Sequence, residues 1–118
     1  MKYSDIPEPM RNALGTFEML RRLGFESKDI YWDMQPDTMM QVVLRTQGKQ
    51  FAIDVGFLHM TKATFKTKWT EVMAALSARQ IPEDDYWRLF QECEAYRLTD
   101  DMVEAMKRKG IRVPMTEN

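Results

Sequence analysis

Apolar residues recur at every third or fourth position near the start of the chain, at Met10, Leu14, Phe17, Leu20 and Leu23. This spacing predicts a helix from about Glu8 to Leu23. Pro7 and Pro9 stand where proline is tolerated, at a helix start. Arg21 and Arg22 place cations in the last turn, and Gly24 can take the left-handed position that closes it. Phe25 is then placed to fold back on the helix end. Gly15 is the weak point, because an interior glycine costs roughly 0.5–1 kcal/mol relative to alanine; either close packing uses it, or the helix begins at Thr16.

From Asp29 onward the period falls to two. Ile30, Trp32 and Met34 share one face of a first strand, Asp29 to Met34, and Pro36-Asp37 marks a reversal. Met40, Val42 and Leu44 follow, then Phe51, Ile53, Val55 and Phe57. If Gln47-Gly48 is a two-residue loop, Leu44 pairs with Phe51, Val42 with Ile53 and Met40 with Val55. A slip of one residue would set Met40 against Asp54 and bring a carboxylate to the core, so the first register is preferred. In the first hairpin, a three-residue loop sets Ile30 opposite Leu44, Trp32 opposite Val42 and Met34 opposite Met40. The result is an antiparallel meander of three strands.

The helical period returns after His59. Phe65, Trp69, Val72, Met73 and Leu76 form a stripe after Thr61, an N-cap candidate, which predicts a second helix from about Lys62 to Arg79. Ile81-Pro82 breaks it. A third helix is expected from Pro82 to about Tyr96, with Glu83, Asp84 and Asp85 in its first turn and Tyr86, Leu89, Phe90 and Cys93 as its buried stripe. The fourth has Thr99 as its expected N-cap, Asp100 and Asp101 next, Lys107 to Lys109 at its end and Gly110 as its stop. Val103 and Met106 supply its inner side. Ile111 to Val113 can dock as an extended segment, and Met115 to Asn118 should fray. Helix, meander and three helices make one α+β domain over residues 1–118, with the helices on one face of the sheet.

Composition narrows the function classes. The chain has 118 residues, 44% hydrophobic, with 17 basic and 18 acidic side chains and a net charge of −1, which is neither disordered nor generally attractive to nucleic acid. Lone Cys93 and His59 cannot supply a four-ligand zinc site or an internal disulfide. No apolar run approaches a membrane span, and the default expectation is a cytoplasmic protein. There is no Walker loop and no G-x-G-x-x-G, so no cofactor is implied. Nucleic-acid binding is further disfavoured because Asp100, Asp101 and Glu104 would lead the fourth helix towards phosphates.

The near-neutral total hides charge blocks. His59 to Gln80 carries a net +3, Ile81 to Glu104 a net −6, and Ala105 to Asn118 a net +3. Helix-end preferences account for most of the acids and for Lys107 to Lys109. Lys62 and Lys66 oppose the dipole of their helix, which makes His59, Lys62, Lys66 and Lys68 an anion-site candidate. The simpler reading is neutralisation by the acidic helices. Cys93, on an apolar stripe, reads as a small buried hydrophobe.

The sheet's second face carries Tyr31, Asp33, Met39, Gln41, Val43, Arg45, Ala52 and Asp54. Its registers place Asp33 and Asp54 on either side of Gln41. The edge strand from Lys49 to Phe57 has few polar guards and is open to pairing. Methionine is over-represented, with 11 copies, and Met19, Met39 and Met102 do not fall cleanly on core stripes. Surface methionine is an adaptable apolar contact.

Two functional readings follow. The first is a non-catalytic interaction domain, with a protein partner or a second copy of the chain docking on the second face or the edge, where Met39, Gln41 and Val43 are interface candidates. The second is a small-ligand or anion-binding domain, an enzyme in its fullest form, with a pocket between sheet and helices. It requires Asp54, Arg45, His59 and Lys62 to converge on one concavity.

Overall fold

The computed structural model describes residues 5–78, 88, 90, 91 and 93–116. Helix α1 spans Glu8–Arg22 without interruption at Gly15, which is buried along with Met10, Ala13, Leu14, Met19 and Leu20. Met19 therefore belongs to the core, against its placement off the apolar stripe. The helix closes as its sequence predicts. Gly24 adopts φ +98°, its N–H donates to Arg21 O, and Phe25 N–H donates to Leu20 O at 3.1 Å. This is a Schellman motif, with Phe25 buried against the end it caps.

A short 3₁₀ turn, Ser27–Asp29, leads into β1 (Ile30–Met34), which is followed by β2 (Met39–Thr46) and β3 (Lys49–Phe57) in the antiparallel order β1-β2-β3. The first hairpin has the expected register, with Ile30 opposite Leu44, Trp32 opposite Val42 and Met34 opposite Met40. In the second, Leu44 faces Phe51 and Val42 faces Ile53, but Met40 faces Gly56 rather than Val55. A bulge inserts Val55, so the strict alternation ends there. Its physical basis lies outside the sheet: the Val55 carbonyl accepts a hydrogen bond from Asn12 Nδ2 at 3.1 Å. Beyond the bulge Phe57 pairs with Met39 and is 51% exposed, instead of joining Phe51, Ile53 and Val55.

Gln47 and Gly48 both have positive φ, as a type I′ turn requires. Glutamine is unusual at that position, and its side chain explains the choice. Gln47 Oε1 accepts from Arg112 N–H at 2.8 Å, and Gln47 Nε2 donates to Arg112 O at 2.9 Å. The amide thereby ties down the C-terminal segment, where Ile111 and Val113 are buried. Gln47→Ala is expected to cost about 1–2 kcal/mol through loss of both bonds, measured by urea denaturation. An unchanged unfolding midpoint would show that the tie contributes nothing.

Helix α2 (Lys62–Ser77) starts as expected, with Thr61 Oγ1 accepting from Thr64 N–H at 3.1 Å. It docks through rings: Phe65 meets Trp32 edge-on at 4.5 Å, and Trp69 lies 5.8 Å from Phe65 and 5.7 Å from Phe17. This row joins β1, α2 and α1. Met73 is not part of the inner side and is 40% exposed. Eight residues beyond Phe65 it has rotated roughly 80° round the helix, past the arc of Val72 and Leu76.

Most of the expected third helix, from Pro82 with Tyr86 and Leu89, lies outside the described residues. Its described end buries Phe90 and Cys93, then forms a short helix α3 (Glu94–Arg97). Helix α4 is Thr99–Arg108, with Leu98 at the N-cap position. Thr99 is thus not the cap: its hydroxyl donates back to Tyr96 O at 2.6 Å, stapling the α3–α4 junction. Gly110, at φ +82°, closes α4 with a second Schellman pair, Gly110 N–H to Lys107 O and Ile111 N–H to Met106 O. Met115 does not fray, since its N–H donates to Leu23 O at 3.0 Å.

Candidate functional site

The antiparallel register arranges the outer face of the sheet in rows. One row contains Asp33, Gln41 and Asp54. Gln41 Nε2 donates to Asp54 Oδ1 at 2.6 Å, and Gln35 Nε2 donates to both Asp33 Oδ2 and Gln41 Oε1 at 3.0 Å. Asp33 Oδ1 accepts from Met34 N–H at 2.9 Å. Two carboxylates and two amides therefore form one chain of hydrogen bonds. The amides stand between the carboxylates, an arrangement that orders the surface.

The next row is apolar: Tyr31, Val43 and Ala52. Val43 is only 3% exposed, whereas Tyr31 beside it is 43% exposed. The third row holds Arg45, whose Nε donates to Gln50 Oε1 at 3.3 Å and whose guanidinium lies 4.9 Å from the Tyr31 ring centre. At the opposite end Met39 is half-buried beside exposed Phe57. The interface candidates Met39, Gln41 and Val43 thus all lie on this face.

A second feature is the edge of β3, which pairs with no further strand among the described residues. The two-residue turn makes Thr46 and Lys49 a hydrogen-bonded pair, and alternation makes Leu44–Phe51 and Val42–Ile53 pairs of the same kind. The N–H and C=O groups of Ala52 and Asp54 consequently point away from β2. Neighbouring outward carbonyls are occupied: Gln50 O accepts from Lys109 Nζ at 3.1 Å, and Val55 O accepts from Asn12. Between these two ends the edge opens on a groove of about 400 Å³, bounded by Asn12 and Thr16 of α1 and by Leu98 and Met102 beside and within α4. Met102, one of the methionines outside the predicted core stripes, forms part of this wall.

Of the four ligand candidates, Asp54 lines the groove, whereas Arg45, His59 and Lys62 are not among its described lining residues. Arg45 is engaged with Gln50 and Tyr31, and His59 and Lys62 are exposed at the β3–α2 junction. Cys93 is buried, its thiol donating to Asn12 O at 3.1 Å beside the Thr16 hydroxyl, which donates to the same carbonyl at 2.7 Å. This pins α1 to the segment before α3. Nothing in the periodicity singles out Asn12 or Leu98, whose roles arise only when distant elements meet. No described helix is long and apolar enough to cross a membrane, and the described residues contain no group of three or more His, Cys, Asp or Glu placed to hold a metal. No protein-family model matches the chain, and no curated protein or solved structure matches it either.

Proposed function

We propose that this protein is a non-catalytic interaction domain that self-associates through the outer face of its sheet. The order of the rows carries this reading: Arg45 at one end, the apolar row of Tyr31, Val43 and Ala52 in the middle, and Asp33 with Asp54 on the other side. Rows of one face are two residues apart, roughly 6.8 Å along a strand. A two-fold axis through the apolar row stacks it on its copy and brings each Arg45 over the partner's acidic row. The contact is isologous, so the pairing of Arg45 with the acidic row occurs twice. The polar row is already hydrogen-bonded within itself, which lowers the cost of removing it from water.

The test is sedimentation velocity with charge exchange. The wild-type chain is expected to dimerise, and Arg45→Glu to weaken the dimer by about tenfold or more. An Asp33→Lys/Asp54→Lys double variant should fail likewise. Mixed together, the two variants should form a heterodimer, because every cross-interface pair is again of opposite sign. A wild-type chain that stays monomeric at high micromolar concentration, or a dimer indifferent to Arg45→Glu, overturns the proposal.

A further inference from the structure

We infer that the groove beside β3 binds an extended peptide segment of another protein as a fourth strand of the sheet. The N–H and C=O groups of Ala52 and Asp54, which have no hydrogen-bond partner among the described residues, decide the kind of occupant, since only a strand supplies donors and acceptors at matching spacing along an edge. The occupied carbonyls at Gln50 and Val55 delimit the pairing segment at both ends. Leu98 and Met102 face the inner side of the incoming strand and call for apolar side chains there. On the outer side, Ala52 and Asp54 stand opposite its alternate residues, and a cation across from Asp54 is the favourable pairing. The partner segment therefore alternates apolar and basic residues. A second copy of this chain fits poorly, because its own β3 edge carries the same wall of Leu98 and Met102. Two walls would meet before the strands reached the roughly 4.8 Å of a ladder. The strand pairs with the backbone of Ala52 and Asp54, whose side chains also belong to the proposed dimer face; exchange protection at the edge and sedimentation of the charge variants report on the two separately.

The test uses the ¹⁵N-labelled full chain and a capped heptapeptide alternating valine and lysine, beginning and ending on valine. Saturation is expected to slow hydrogen exchange at the Ala52 and Asp54 amides at least tenfold and to leave Trp32, on the opposite edge, unchanged. The same peptide N-methylated at its three lysines keeps its charge but loses the donors that face β3, and it should not bind. Ala52→Pro removes a donor that the native ladder does not use, so the fold is retained while affinity drops by about tenfold. Equal binding of the N-methylated peptide, equal binding to Ala52→Pro, or absence of protection at Ala52 and Asp54 at millimolar peptide overturns the inference.

Discussion

Phe65→Ala is expected to destabilise the protein by about 3–5 kcal/mol, the usual cost of removing a fully buried phenylalanine. Phe65 has no exposed surface and is the middle member of the ring row that links Trp32 on β1 with Trp69 on α2 and Phe17 on α1. Its loss opens a cavity where three elements meet and removes an edge-on aromatic contact as well as buried area. A domain of this size typically has about 5–15 kcal/mol of stability, so the change should lower the urea midpoint sharply and can leave a large unfolded fraction. Phe65→Leu retains much of the volume and should cost clearly less. A loss below about 1.5 kcal/mol in Phe65→Ala would mean that α2 docks by other contacts.

The features legible in the sequence are those in which local chemistry and burial pull in the same direction. Gly24 after Arg21 and Arg22 marks a helix end because only the left-handed conformation completes the Schellman bonds there. The pairing of Leu44 with Phe51 and Val42 with Ile53 is legible because a one-residue slip would bury polar groups, and this pairing in turn aligns Asp33, Gln41 and Asp54. The α+β arrangement follows from the same periodicities. The departures have long-range causes. The bulge at Val55 depends on Asn12, 43 residues away, and Thr99 turns back to Tyr96 instead of capping its own helix. By turn preference Gln47 is a poor choice, and the reason for it is its amide, which holds Arg112. The β3 edge is recognisable from its lack of polar guards, but its groove is not, since Asn12, Leu98 and Met102 come together only in the folded chain. Met73 sits at the margin of an apolar arc, where a stripe of mixed spacings does not decide which side it joins.

Gly56→Ala is expected to cost about 2–4 kcal/mol, from two separable sources. Gly56 has φ +130°, a conformation that L side chains rarely adopt. A Cβ at this position would also lie 3.1 Å from Pro9 Cγ and 3.4 Å from Pro9 Cβ, at the start of α1. Pro9→Ala removes the ring and much of the crowding but leaves the backbone strain. In a double-mutant cycle followed by urea denaturation, Gly56→Ala should therefore be less harmful in the Pro9→Ala background while still costing about 1–3 kcal/mol. A cost below about 0.5 kcal/mol in the native background would show that the bulge adapts to a side chain. The same glycine connects fold to surface. The bulge presents the Val55 carbonyl to Asn12 at one end of the groove and turns Phe57 towards the outer face beside Met39. If the strand relieves its strain by shedding the extra residue, Phe57 is drawn inward and the Asn12 bond is lost. Gly56→Ala should then disturb the groove end near Val55 and the Met39–Phe57 end of the face together, whereas Gln47→Ala, acting at the far end of the hairpin, should leave both in place.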